Sequence, residues 1–347
     1  MKVGILTYPM LFQNEGGLQV QIYETIRNLR KIGVKVDLVD LNQEKLEHFD
    51  IVHVFAAIHG NDKLVEQAKI KGCKVILSPL INPSLVPPST LSLHAVKILS
   101  RVLSRLSNYT VTTNYTMVKR ALTGAHHLVA LGKSECSILE NTYNVDRRNI
   151  SIVPNGVSSH FFEANARLFL EKYKILRPFV FCPGQISPWK NQKTLVQALA
   201  GTGIEIVLAG PINDGARQYL YECLNMPNTH VSYIGNLNRN SPEFAACYGA
   251  ASAVVLPSKG ESGPLVALES LAAGTPAIIT KKNGLDIESD GQCLNFVEPF
   301  NILAMRDVIN SVVSNRPSKE QCQKIVDNFS WLKVAERIAK IYERQMK

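Results

Sequence analysis

Glu261 and Glu269 are separated by seven residues in the stretch PSKGESGPLVALESLAAGTP, residues 257–276. The run Ala253 to Leu256 predicts a short buried strand. Ser262 fits an N-cap, Pro264 suits a first-turn position whose N–H would be unpaired anyway, and Gly274 with Pro276 stops the helix between them. Leu265, Val266, Leu268, Leu271 and Ala272 leave that helix hardly any polar face, so Glu269 should be buried. A buried carboxylate needs a partner, and at i+3 and i+4 the helix offers only Ala272 and Ala273. Two partners remain open: a pair of vicinal ribose hydroxyls, or an arginine or lysine from elsewhere in the chain. The helix start, Ser262, Gly263, Pro264 and Leu265, would present free N–H groups and positive potential to a diphosphate. Glu261 would then lie at the mouth, within reach of whatever the diphosphate carries.

Other residue types narrow the chemistry. Gly16 and Gly17 follow the first apolar run and open an amphipathic segment, which suits close approach of a ligand to the backbone or a tight turn; the GxGxxG spacing of a dinucleotide site is absent. His126-His127 and the LGKS run at 131–134 invite a metal or P-loop reading, but a Walker A loop would need glycine at His127. No HExxH, DxD or Cys/His ligand cluster occurs, so neither a metal site nor another cofactor is expected.

With 347 residues and 46% hydrophobic content, two domains are expected. The seven cysteines are scattered with no CxxC pair, which argues against a disulfide framework and for a reducing cytosol. The opening MKVGILTYPM has no basic n-region or cleavage site, and no run reaches membrane-spanning length. A cytoplasmic protein is expected, with peripheral association at the inner face of the membrane open. The net charge of +9 is uneven, with 18 basic against 12 acidic residues in positions 1–160. A basic balance suits phosphate-rich partners. On a helix from about Leu93 to Leu106, Lys97, Arg101 and Arg105 share one face, with Leu99, Val102, Leu103 and Leu106 around the other. That pattern fits a solvated face opposite a core face, or a surface resting on anionic lipid.

Positioning these residues calls for alternating strands and helices. Val3–Thr7, Val34–Val39, Asp50–Phe55 and Lys74–Leu77 read as strands with helices between, which implies a parallel sheet. ISIVPNGV (150–157) closes the first half, and polar, irregular chain runs on to Pro178. The rhythm then restarts: strand 179–182, helix 191–200, strand 204–209, helix 215–224, strand 231–234, helix 242–250, strand 253–256. Ligands bind such sheets beyond the carboxyl ends of their strands. That places the loops of Lys190, Gly210, Gly235 and Glu261 on one edge.

Gly184-Gln-Ile-Ser-Pro-Trp-Lys190-Asn, Leu208-Ala-Gly210, Tyr233-Ile-Gly235-Asn and Glu261 to Glu269 form an ordered series. With Gly16-Gly17, PNGV at 154–157, AGTP at 273–276 and a closing FSWLKVAERIAKIYE, this series resembles the family 4 retaining glycosyltransferases of the GT-B fold. The resemblance implies an α/β chain of two doubly wound Rossmann-like domains facing each other across a cleft. Residues 1–165 would be the acceptor side, 178–325 the nucleotide-sugar donor side, and 326–347 a C-terminal helix crossing back to the first domain. Lys190 would hold the donor diphosphate, Glu269 the ribose hydroxyls and Glu261 the hydroxyls of the transferred sugar, while Gly16 and Gly17 would let the first domain close on donor or acceptor. The family's G-R-L arginine is Gln185 here, and its histidine near the end of the fourth strand is missing from SPLINP; His53 and His59 are stand-ins beside the structural reading of a histidine on a strand. The implied activity is metal-independent, retaining transfer of a sugar from a nucleotide sugar to a hydroxyl of a glycan or lipid-linked glycan, with no nucleic-acid partner. A sugar-nucleotide epimerase of the same architecture and a non-catalytic nucleotide-sugar-binding protein are the alternatives.

Overall fold

The computed structural model describes residues 1–13, 16–83, 95–100, 102–103, 112–175 and 178–347. The chain forms two units, one of Met1–Asn155, Gly284–Asp286 and Trp331–Lys347, the other of Gly156–Asn283 and Ile287–Ser330.

The first unit is built on a six-stranded, all-parallel sheet ordered β2-β1-β3-β4-β5-β6. Its strands are β1 (Lys2–Leu6), β2 (Lys35–Leu38), β3 (Ile51–Phe55), β4 (Lys74–Ser78), β5 (His127–Ala130) and β6 (Ile150–Ile152), linked through α1 (Gly17–Lys31), α2 (Asn61–Ile70), α3 (Asn114–Gly124) and α4 (Lys133–Tyr143). A central parallel strand is covered on both faces and reads as an unbroken apolar run. All five residues of β3 are buried accordingly, His53 among them.

The second unit holds α5 (Ala166–Tyr173), β7 (Phe179–Pro183), α6 (Gln192–Leu199), β8 (Glu205–Ala209), α7 (Arg217–Leu224), β9 (His230–Tyr233) and α8 (Pro242–Ala250). It continues with β10 (Ala253–Leu256), α9 (Leu265–Ala272), β11 (Ala277–Thr280), β12 (Leu294–Val297), α10 (Ile302–Ser314) and α11 (Lys319–Val326). Its sheet is also six-stranded and parallel, ordered β12-β11-β10-β7-β8-β9. The core between sheet and helices is aliphatic, with Val180, Leu195, Ile206, Leu208, Val255, Ile278 and Ile309 among its members.

The closing helix, α12 (Trp331–Met346), belongs to the first unit and packs on α1. Its buried Tyr342 places a hydroxyl 2.8 Å from His53 Nδ1, while His53 Nε2 lies 2.9 Å from Ser78 Oγ.

Three expectations change. The chain between Asn165 and Tyr173 is helical rather than irregular. Asn165 accepts from the Arg167 N–H, and the fully buried Phe169 stacks on Phe179 at 5.1 Å, which draws this segment onto the second sheet. The division into units therefore falls at Asn155/Gly156, ahead of residue 165. Neither β5 nor α3 was predicted. Two histidines blur the apolar signal at β5, where His127 Nε2 lies 2.9 Å from Ser151 Oγ on the neighbouring strand, and α3 starts at a Thr113 cap that accepts from the Thr116 N–H. In the basic stripe, Arg101 and Arg105 lie outside the described residues. Residues 95–100 and 102–103 are helical, but Leu99 and Val102, expected on a core face, are 58% and 45% exposed, beside Ile98 at 54%. No helix among the described residues is long and apolar enough to cross a membrane.

Candidate functional site

Three loops leave the carboxyl ends of β7, β8 and β10 in the second unit. The first two meet backbone to backbone. Gly184 donates its N–H to Ala209 at 2.8 Å and Gly210 donates to Gly235 at 2.9 Å. Gly210 has φ +139°, and a Cβ there would lie 2.2 Å from the Gly184 carbonyl oxygen, so only glycine fits the crossing. Beyond Gly184 the chain turns through Ser187 and Asn191. The buried Asn191 amide donates to Pro257 and Pro299 carbonyls at 3.0 and 2.6 Å, tying the β7 loop to the loops after β10 and β12. Trp189 adds its indole N–H to the Gly260 carbonyl at 3.3 Å, and its own carbonyl accepts from the Lys259 N–H at 3.0 Å.

This clamp sets Lys190 against Glu261. The ammonium Nζ lies 2.6 Å from Oε1, with the side chains 24% and 14% exposed. Glu261 keeps extended backbone, donating its N–H to Lys282, and the chain turns into α9 only after Pro264. The expected Ser262 cap is therefore corrected: Pro264 occupies the cap position of α9, with no side-chain cap, and the turn opens with Ala267 N–H donating to the Pro264 carbonyl. Gly274 stops the helix as expected, at φ +79°.

Glu269 is buried, 3% exposed, and its carboxylate has protein partners. Tyr248 donates its hydroxyl to Oε2 at 2.7 Å, and the Arg239 guanidinium pairs with Oε1. Of the two partners left open by the sequence, the arginine from elsewhere is present. Arg239 lies in the loop after β9, its guanidinium over the Phe244 ring. Tyr248 is fully buried, and its ring meets Phe161, Phe181 and Phe244 edge-on with centroids 5.2–5.3 Å apart. Burial pushes its phenol pKa upward, keeping it a donor. Sequence reasoning missed both residues, although the strand rhythm put the Gly235 loop on the carboxyl edge, where its one charged side chain was the signal to follow.

Gln185 turns its amide to Asn213 Oδ1, 3.1 Å away, at an exposed position. Lys193 pairs with Glu222 at 2.8 Å, and Lys259 stands over the Phe300 ring.

Gly16 and Gly17 belong to the first unit, where Gly16 caps α1 in extended conformation. Its φ is not in the left-handed region, and a Cβ would meet no described atom within 4 Å, so neither turn geometry nor packing demands glycine there. At the carboxyl edge of the same sheet, Ala56, His59 and Leu80 all hold left-handed backbone, φ 57–70°. Such strain in non-glycine residues concentrates at functional sites. His53 is structural: both ring nitrogens have partners, and burial lowers its pKa to about 3. Among the described residues no group of three or more His, Cys, Asp or Glu side chains is arranged to hold a metal.

Residues 171–329, which carry this whole arrangement of Lys190, Arg239, Glu261 and Glu269, match the family described as Glycosyl transferases group 1. The second unit is a group 1 glycosyl transferase domain. A D-inositol 3-phosphate glycosyltransferase of Paenarthrobacter aurescens is 26% identical over 238 residues, 62% of this chain and 57% of the relative. The chain thus spans about half the length of the curated relatives it matches. Sucrose-phosphate synthase from Thermosynechococcus elongatus superposes with a TM-score of 0.77 at 16% identity, covering 100% of this chain and 99% of that one. Anabaena Alr3699/HepE, solved with UDP, gives 0.71 at 14% identity, covering 99% and 100%. The fold is GT-B, and the GT4-type resemblance carried by the motifs holds for the group 1 domain.

Proposed function

We propose that the protein transfers a sugar from a nucleotide-activated donor to a hydroxyl of a glycan or lipid-linked glycan, with retention at the anomeric carbon and without metal. The observation that carries this reading is the Lys190–Glu261 pair, set 2.6 Å apart ahead of α9 in the group 1 domain. A departing nucleoside diphosphate gathers negative charge, which a fixed ammonium and the N–H groups at a helix start stabilise without reorganising. The Glu261 carboxylate beside it accepts from the hydroxyls of the transferred sugar. The anomeric carbon–phosphate oxygen bond breaks as the acceptor oxygen bonds on the same face, and the departing phosphate takes the acceptor's proton. The nucleotide assignment is supported by the Anabaena neighbour solved with UDP, and the transfer by the names of the curated relatives.

The test is incubation with a panel of uridine, guanosine and adenosine diphosphate sugars, with and without glycan or lipid-linked acceptors, reading nucleoside diphosphate release. Acceptor-dependent release from one donor class, surviving excess EDTA and giving a product of unchanged anomeric configuration by NMR, is expected. Complete loss in EDTA, restored by manganese or magnesium, overturns metal independence. Absence of release from every donor, with no nucleoside diphosphate binding by calorimetry, overturns the reading.

A further inference from the structure

We infer that Arg239 and Tyr248 are positioning residues that aim the Glu269 carboxylate at the donor's ribose and so set the discrimination between ribonucleotides and 2′-deoxyribonucleotides. The inference rests on the proposed nucleotide-sugar reading and goes beyond it, because it assigns specificity to two side chains outside the motifs that suggested that reading.

A carboxylate on a two-carbon stem can rotate about its terminal bond, and a ribose diol is selected only by an acceptor whose lone pairs are fixed. Here each oxygen has its own anchor. Tyr248 holds Oε2 at 2.7 Å, its ring locked by three edge-on aromatic neighbours and its backbone carbonyl accepting the Thr275 hydroxyl at 2.7 Å. Arg239 holds Oε1 and brings the positive charge that a carboxylate 3% exposed requires. An ionised carboxylate offers about four lone-pair sites, so one bond to each oxygen leaves about two, the number a vicinal diol uses. The anchors come from different elements, the loop after β9 and the helix α8, and converge on the second turn of α9. A site built to bond a hydroxyl rejects the analogue that lacks it, because its own polar group is then left unmatched.

A purely structural ion pair would hold α9 in place and make no distinction between nucleotides, so the readout is a ratio. Calorimetry on the full chain would compare uridine diphosphate with 2′-deoxyuridine diphosphate, and the guanosine pair likewise, in wild type, Arg239→Lys, Arg239→Gln and Tyr248→Phe, with thermal denaturation alongside. Wild type should prefer the ribonucleotide by about 10-fold or more. Arg239→Gln should cut that preference to within about 3-fold, Tyr248→Phe should reduce it, and Arg239→Lys, which keeps the charge without the planar fork, should fall between. If Arg239→Gln does not fold, Arg239→Lys and Tyr248→Phe decide. A ratio unchanged in both, or variants that weaken both nucleotides equally while lowering Tm, marks the pair as a structural tie and overturns the inference. Wild type that binds no nucleoside diphosphate fails at the earlier step, the nucleotide reading itself.

Discussion

Lys190 donates to Glu261 at 2.6 Å, so the cation proposed for the leaving group is held at one position by a carboxylate. On the proposed reaction, charge on the diphosphate grows as its bond to the sugar breaks, so the ammonium should favour the transition state over the bound donor. Lys190→Ala should therefore lower kcat by roughly 100-fold, the scale of one preorganised electrostatic donor. If steady-state kinetics show kcat intact and only KM raised, the lysine binds and does not catalyse. Gln185→Arg is the companion measurement. Gln185 donates to the exposed Asn213, so a guanidinium there should leave turnover equal or higher, and a collapse would reveal a specific role for the amide. Lys190, Glu261 and Glu269 were legible because their flanking glycines, prolines and apolar runs announce a strand, a loop and a helix. Arg239 was not, since an arginine in a polar loop carries no periodic signal and its partner lies thirty positions away in the chain.

Elements were legible where one pattern dominates. The apolar runs of β7, β8 and β10 announced themselves, while the Ser241 cap before α8, which accepts from the Phe244 N–H at 3.1 Å, emerges only in the structure. Segments that failed to register, such as α5 and β5, mix charged or imidazole side chains into short elements whose burial is settled by distant partners. His53 in β3 shows the same principle at an energetic cost. Burial holds its folded pKa near 3 against an ordinary 6.5, so the native state keeps the ring neutral while the unfolded chain binds a proton below pH 6.5. The stability contributed by the neutral ring is complete above pH 6.5 and is lost progressively as pH falls toward 3. Glu135, buried with its carboxylate accepting from Ile81 and Leu131 and its pKa raised to about 7, pulls in the opposite direction over the upper part of that range. The difference in Tm-versus-pH slope between wild type and His53→Asn isolates the histidine: wild type should lose Tm more steeply on acidification. Parallel slopes would mean that the ring is not held neutral.

Across the whole molecule the charge excess in the first 160 residues and the exposed Ile98, Leu99 and Val102 belong to the same stretch of chain. The exposed apolar residues around Lys97, in a stretch whose sequence also carries Arg101 and Arg105, motivate a test of binding to an anionic lipid surface. Each basic residue near an anionic surface adds on the order of 1 kcal/mol, so binding should be weak and reversible. Co-sedimentation should show the protein on anionic vesicles at low salt, released at high salt, and absent from neutral vesicles. Charge reversal by Lys97→Glu/Arg101→Glu/Arg105→Glu should abolish it, and failure of wild type to bind at low salt would turn the acceptor away from lipids. The placement of α12 has a consequence for how the protein is made. His53 is synthesised well before its partner, since the hydroxyl that meets it arrives with Tyr342, 289 residues later. At about 5–20 residues per second that interval is on the order of 15–60 s on the ribosome. Throughout it, the α1 face destined for the last helix is bare while the entire second unit emerges and can fold. Of the two units, the one entered first is therefore completed last, and a nascent chain stalled short of Trp331 leaves that face of α1 uncovered.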